Sequence, residues 1–337
     1  MEFELNKPLK DFNTFHIDAQ AEKFICIDDE KSLMDVLAFA KQAKISIHFI
    51  GGGSNILLTK NIAGIVAMNQ LKGIKIIHEN DETVLVNFLS GENWHQCVLW
   101  AVEHNYGGIE NLSLIPGTIG ASPIQNIGAY GVELKDVFHS LEAINLTSFE
   151  KKIFTLEECK FGYRDSIFKQ LEKGNWFILN VTLQLTKNPL CNINYGNIKD
   201  ELLKMKVENP RIQDISKAVI KIRSSKLPNP DEIGNAGSFF KNPVIAKTHF
   251  EELKTMYPEI PHFAATNGVK IPAAWLIEKN NWKGFKEGDF GVHKNQALVL
   301  VNYNDANGND ILNLSTQIIT SVQQTFNITL EREVNIW

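Results

Sequence analysis

The chain has 337 residues, 44% of them hydrophobic and 22% charged, with a formal net charge of −5. That length gives room for two or three domains, each with its own core. The mild acidity, with no Lys/Arg block, argues against a nucleic-acid partner, and no apolar run reaches membrane-spanning length.

The polar start, MEFELNKPLKDF, lacks the pattern of a secretory leader. Residues 32–44 read as the first helix: Ser32 and Asp35 stand at capping-box spacing, and Leu33, Val36, Leu37 and Ala40 share one face. Residues 45–50 alternate like a strand and run into Gly51-Gly52-Gly53-Ser54-Asn55. A hairpin is expected from 73–77 and 83–89, turned at Glu79-Asn80-Asp81. Residues 92–105 read as a second helix with Trp94, Cys97, Val98, Ala101 and Val102 inward.

Residues 115–131 follow, IPGTIGASPIQNIGAYG, with four glycines, two prolines and no charge. Such a stretch suits neither a helix nor a packed strand. Strands are expected around 137–144 and 176–185, then a helix at 212–224 stopped by Leu227-Pro228-Asn229-Pro230. The proline pair marks the expected start of a C-terminal domain. That domain reads as helices at 250–257, 273–280 and about 309–326, a strand at 297–302 and a last strand at 330–337.

The four cysteines, Cys26, Cys97, Cys159 and Cys191, show neither a CxxC pair nor metal-ligand spacing, so no metal is expected. They fit a reducing cytoplasm.

Several loops could carry chemistry. Gly51 to Asn55 is not GxGxxG, because residue 56 is Ile, and it has no P-loop lysine. Alone it fits a tight turn as well as a phosphate cradle. The longer glycine segment strengthens the ligand reading, since successive backbone N–H groups form anion nests. Tyr163-Arg164-Asp165-Ser166 offers either a surface Arg164–Asp165 pair or a guanidinium aimed at a carboxylate. Residues 234–243, GNAGSFFKNP, place Ser238 before two aromatics. There it is a loop cap or a proton donor in an aromatic-walled site, and no Gly-x-Ser-x-Gly elbow is present. His293, Lys294 and Gln296 precede an apolar strand. Glu331 and Glu333 share one face of the last strand, with Arg332 on the other.

Together these motifs resemble the UDP-N-acetylenolpyruvoylglucosamine reductases (MurB) of bacterial cell-wall synthesis. The matching residues are Asn13-Thr14-Phe15, Gly51 to Asn55, 115–131, Tyr163 to Ser166, 234–243, 292–297 and 331–334. Asn194-Tyr195-Gly196, well before Lys226, resembles the first subtype, whose tyrosine loop closes over substrate. The resemblance implies an α+β flavoenzyme with a vanillyl-alcohol-oxidase (PCMH-type) FAD-binding fold and a C-terminal α/β substrate domain. The implied division is 1–70 and 71–226 for the FAD-binding subdomains, 227–328 for the substrate domain, and 329–337 for a strand returning to the active site. It also implies non-covalent FAD, NADPH as reductant, UDP-N-acetylglucosamine enolpyruvate as substrate, and a monomer.

Carried over by residue, Arg164 binds the enolpyruvyl carboxylate, Glu333 lies beside it with a raised pKa, and Ser238 supplies the proton. Tyr195, Lys226, Asn242 and Gln296 hold the sugar nucleotide. Gly52, Gly53, Ser54, Asn55, Gly117, Gly120, Ser122, Gln125, Asn126 and Gly128 hold the flavin. Arg223 stands either near the flavin N1/O2 edge or in a helix-end salt bridge. His16 departs from the family at a place where glycine is commoner, and Arg332 at one where proline is frequent. An FAD-dependent oxidase of alcohols or sugars is the alternative enzyme, although no covalent-flavin histidine is evident. A nucleotide-binding scaffold is the non-enzymatic alternative.

Overall fold

A computed structural model describes every residue except Thr266. The chain forms two compact units. The first takes Met1–Asn6, Glu22–Gly52 and Ala63–Ser225; the second takes Lys7–Ala21, Gly53–Ile62 and Lys226–Trp337.

The first unit holds two sheets. One has the order β1 (Glu4–Pro8), β2 (Gln20–Ile27), β5 (Ile62–Asn69), β3 (Ile47–Ile50). β3 and β5 run parallel, Ile47 against Ile65. β5 is buried along most of its length, as a covered parallel strand must be. Helix α1 (Glu30–Ala43) packs on it through Leu33, Val36, Leu37 and Ala40. Its cap differs from the expected one. Asp29 is the N-cap, accepting the Ser32 N–H at 2.6 Å, and Ser32 returns the bond three residues into the box.

The other sheet is antiparallel, in the order β11 (Lys151–Thr155), β10 (Phe138–Asn145), β12 (Trp176–Thr186), β7 (Thr83–Leu89), β6 (Ile74–Glu79). Helix α2 (Trp94–Glu103) starts at Asn93, whose side chain accepts the Gln96 N–H at 3.0 Å. Trp94, Cys97, Val98 and Ala101 join Val84, Val86, Phe88 and Val181 in one core. The short helix α3 (Leu156–Cys159) adds Cys159 to that core. Helices α4 (Ile198–Lys204) and α5 (Ile212–Lys226) form a smaller core through Ile198, Leu202, Ile215, Val219 and Ile222. The glycine segment crosses this unit as irregular chain and ends in a tight hairpin, β8 (Gly128–Ala129) and β9 (Val132–Glu133).

The second unit contains a sheet in the order β13 (Gly234–Asn235), β19 (Leu300–Asn302), β18 (Phe290–Val292), β17 (Lys286–Glu287). A smaller sheet joins β14 (Val244–Ile245), β16 (Gly268–Lys270) and β15 (Phe263–Ala265). Around them lie α6 (Lys247–Met256), α7 (Ala273–Lys279) and α8 (Gly308–Phe326), whose buried face is Ile311, Leu314, Ile318, Val322 and Phe326. The two early pieces of chain are built in. Asn235 N–H donates to Thr14 O at 2.8 Å, and Asn302 Nδ2 donates to Phe15 O at 2.8 Å.

The last strand is shorter than expected. Only β20 (Asn335–Ile336) is regular, and it pairs parallel with β4 (Ile56–Leu57). Arg332 makes a single bridge to Phe240. The end of the chain divides its bonds between two partners, so no continuous ladder forms over 330–337.

Candidate active site

In the first unit the two glycine runs lie backbone to backbone. A Cβ on Gly52 would stand 3.4 Å from Gly117 Cα, and one on Gly51 would stand 2.6 Å from Thr118 Oγ1. A Cβ on Gly120 would be 2.7 Å from Ser90 Cβ. These glycines therefore let the loops pack closely on each other and on the chain around them. Much of the segment's bonding is internal: the N–H groups of Ile119, Gly120, Ala121 and Ser122 all donate to protein carbonyls. Ser122 Oγ donates to Ile119 O at 2.7 Å. Asn126, fully buried at φ 44°, spends its amide on Glu133, Gly162 and the Lys135 N–H. Gly52, Gly117 and Thr118 keep backbone N–H groups with no such bond among the described residues.

Two guanidinium groups meet in this unit. Arg164, at φ 52°, donates from Nη2 to Gly128 O at 2.6 Å. Asp165 accepts from Gln170, so each member of the expected Arg164–Asp165 pair has a partner of its own. Arg223, near the end of α5, has an enclosed Nε with no hydrogen-bond partner among the described residues. Burial lowers its pKa, Tyr130 opposes that shift, and the Arg164 charge adds to it. No carboxylate is among the groups that shift Arg223, so the helix-end salt bridge considered for it has no partner among the described residues. Tyr195 is 45% exposed, beside the end of the glycine segment.

The second unit gathers the other predicted residues. Phe239 N–H donates to Leu298 O at 2.8 Å, Lys241 N–H to Glu331 O at 2.9 Å, and Glu333 N–H to Phe239 O at 2.8 Å. This antiparallel pairing brings the Ser238 loop and the Glu333 backbone together. Phe239 and Phe240 are core residues, 0% and 1% exposed, so they anchor the loop and do not wall a site. Ser238 itself is exposed. Gly237, at φ 68°, supplies the turn before it, and the buried Asn235 fixes that turn by accepting the Gly237 N–H at 2.9 Å.

Glu331 and Arg332 are committed elsewhere. Glu331 pairs with Lys241, and Arg332 donates to Ser315 and Thr316 of α8. The Gly53-Ser54-Asn55 end of the first glycine run also lies in this unit. Asn55 Nδ2 donates to Glu333 O at 3.3 Å, and a Cβ on Gly53 would stand 2.0 Å from Phe12 O. Asn242 Oδ1 accepts the Ala273 N–H that opens α7, Gln296 Oε1 accepts the Leu298 N–H, and Lys226 is exposed. His293 is buried, and its Nδ1 has no partner among the described residues.

Three supporting residues escaped the motif reading. Trp94 Nε1 donates to Leu112 O at 3.0 Å, Ser216 shares a hydroxyl bond with Ser113 at 2.8 Å, and His95 Nδ1 accepts the Leu114 N–H at 2.9 Å. Side chains of α2 and α5 thus grip three consecutive residues just before the glycine segment. Their apolar neighbours hid them among ordinary helix positions.

This first unit suits a flavin. Gly52, Gly117 and Thr118 present backbone N–H groups with no protein acceptor, and Arg223 has an enclosed Nε with no partner among the described residues. Residues 21–148 match the family described as "FAD binding domain". The fold is similar to that of a UDP-N-acetylenolpyruvylglucosamine reductase (MurB) from Thermus caldophilus, with a TM-score of 0.66 and 21% identity, covering 100% of this chain and 98% of that one. Fold, loops and domain match together define an FAD-containing oxidoreductase.

Residues 229–337 match "UDP-N-acetylenolpyruvoylglucosamine reductase, C-terminal domain". The chain is 49% identical to the UDP-N-acetylenolpyruvoylglucosamine reductase of Flavobacterium johnsoniae, over 100% of both chains. It is 47% identical to that of Amoebophilus asiaticus, over 100% of this chain and 99% of that one. The chain belongs to the UDP-N-acetylenolpyruvoylglucosamine reductase family, flavoenzymes of peptidoglycan synthesis.

Proposed function

We propose that this chain reduces the enolpyruvyl group of UDP-N-acetylglucosamine enolpyruvate to UDP-N-acetylmuramate, with NADPH as the reductant of FAD. Bound FAD supplies two-electron hydride transfer from the nicotinamide to the vinyl CH₂ carbon. The chain's own work is to bind, orient and protonate. Gly52, Gly117 and Thr118 offer backbone N–H groups to the cofactor's phosphates, and Arg223 offers its Nε to the electron-rich edge of the flavin ring. Gly120, Ser122, Gln125, Asn126 and Gly128 support the same loop, and Gly53, Ser54 and Asn55 are proposed as further flavin contacts. Arg164 takes the substrate carboxylate. Negative charge then spreads from the neighbouring carbon into that carboxylate, where a fixed guanidinium stabilises it.

Ser238 gives a proton to the resulting enolate carbon. A serine hydroxyl is a weak acid, so the step draws on the enolate's basicity and on Glu333 holding or sharing a proton beside it. Lys226 meets the diphosphate, with Tyr195, Asn242 and Gln296 on the rest of the sugar nucleotide. The observation that supports this assignment is the backbone pairing of 239–241 with 331–333, which sets the loop of the exposed Ser238 beside the Glu333 backbone. An oxidase of the same fold gives that pairing no task.

The enzyme is proposed to act as a cytoplasmic monomer. Its four cysteines are free thiols, in keeping with a reducing compartment. No helix among the described residues is long and apolar enough to cross a membrane.

Ser238→Ala tests the assignment. Flavin reduction by NADPH should stay near the wild-type rate, while oxidation of the reduced enzyme by the enolpyruvyl substrate slows by about 10²–10⁴-fold. Equal losses in both half-reactions would reduce Ser238 to a shaping role.

A further inference from the structure

Two Tyr–Gly dipeptides face each other in the first unit. Tyr130-Gly131 ends the glycine segment, and Tyr195-Gly196 lies in the loop before α4. Both glycines are left-handed, at φ 79° and 63°. A Cβ on Gly131 would stand 3.1 Å from Tyr195 Cβ, and a Cβ on Gly196 would stand 3.2 Å from Tyr130 Cδ1. Each glycine makes room for the other dipeptide's tyrosine.

Asn111 joins the same two stretches of chain from the buried side. It is 1% exposed, and its Nδ2 donates to Tyr130 O at 3.1 Å and to Asn192 O at 2.9 Å. Asn192 Nδ2 reaches back to Gly131 O at 3.5 Å. Asn111 Oδ1 is buried with no partner among the described residues. An unpaired buried acceptor is destabilising, so what this amide contributes lies in its two N–H bonds. Tyr130, Cys191 and Ile193 pack on the α4–α5 core, which gives the arrangement a fixed base.

We propose that Asn111, Tyr130 and Gly196 form a clasp that positions Tyr195 for the sugar nucleotide. They are positioning residues, acting through Tyr195, and the proposal rests on the reading of Tyr195 as a substrate contact. Only molecules with the clasp formed present Tyr195 correctly, so apparent substrate affinity scales with the clasped fraction. Loosening the clasp raises KM for the sugar nucleotide and spares both kcat and flavin reduction.

The test uses FAD-loaded enzyme and compares Asn111→Ala, Gly196→Ala, their double variant, Tyr130→Phe and Tyr195→Ala. Gly196 lies in an exposed loop, so its variant should fold even if Asn111→Ala does not. Asn111→Ala and Gly196→Ala should each raise KM for the enolpyruvyl sugar nucleotide by about 5–20-fold, the scale of losing one or two ordinary hydrogen bonds. NADPH-driven flavin reduction should be unchanged, and Tyr130→Phe, which keeps the ring, should match wild type. The double variant should be no worse than the stronger single one, because both break the same device. Fully additive effects, or parallel losses in kcat and flavin reduction, overturn the proposal. A raised KM in Tyr195→Ala with unchanged KM in the clasp variants defeats the clasp alone. An unchanged KM in Tyr195→Ala defeats the substrate reading and the clasp with it.

Discussion

His95 shows how one buried contact fixes a side chain's chemistry. Its Nδ1 accepts the Leu114 N–H, so the ring is neutral and carries its proton on Nε2. Burial, and then the Arg223 charge, hold its pKa below the ordinary 6.5. A depressed folded pKa gives stability that is complete above the unfolded value and is lost as pH falls through the folded one. Thermal melting of the enzyme should therefore decline below pH 6.5. His95→Asn keeps an acceptor for Leu114 but does not titrate, and its decline should be shallower. Identical acid profiles for the two proteins would refute the linkage.

The cysteines make the same argument at higher pH. Burial pushes the Cys97 and Cys159 thiols up to about 12, while Cys26 is exposed. Only the thiolate attacks a disulfide reagent. At pH 8 an aromatic disulfide should label Cys26 in the folded enzyme and spare Cys97 and Cys159, with all four reacting after denaturation. Rapid labelling of Cys97 in the native protein would contradict its core placement.

Among the elements, helices were legible where apolar spacing was regular. The stripes of α1 and α2 are the buried faces seen in the structure. Their ends were less legible: Ser32 is an interior member of its capping box, because Asp29 three residues earlier takes the N-cap. β2 and β5 escaped notice, since β2 carries charge between its buried positions and β5 is a nearly continuous apolar run. The active-site loops have no periodicity at all. Ser238, Glu333 and Arg164 stood out through family motifs, whereas Asn111 and His95 act through single hydrogen bonds that leave no pattern in a sequence. His16 is instructive: at φ 55° it occupies a left-handed position that favours glycine, the residue commoner there in the family, and it donates from Nε2 to Pro230 O at 2.9 Å.

The glycine runs give a graded prediction. Gly53 combines φ 61° with a backbone obstacle, since Phe12 O lies 2.0 Å from where a Cβ would stand, whereas Gly51 faces only the end of the Thr118 side chain. A threonine rotamer can shift and a backbone carbonyl cannot. Gly53→Ala should cost more than about 2 kcal/mol in chemical denaturation, and Gly51→Ala clearly less. The reverse order would mean that neither close approach survives in solution.

At the scale of the molecule, the second unit is assembled from three separate stretches of chain. Residues 226–337 depend on partners outside themselves: Thr14 O for Asn235, Phe15 O for Asn302, and β4 for β20. A fragment of 226–337 alone should lack cooperative thermal unfolding, although the family match to 229–337 spans nearly all of it. A sharp melting transition in that fragment would show that the early segments are dispensable.

The proposed enzyme works in two steps, with an enolpyruvyl sugar nucleotide as the oxidant of its reduced flavin. The most direct measurement reduces the purified, FAD-loaded protein with NADPH under strict anaerobiosis, then adds that substrate and follows flavin absorbance. NADPH should bleach the flavin, and the substrate should rapidly restore the oxidised spectrum with one equivalent of reduced sugar nucleotide formed. A bleached enzyme that the substrate leaves bleached, and that only oxygen restores, would contradict this mechanism.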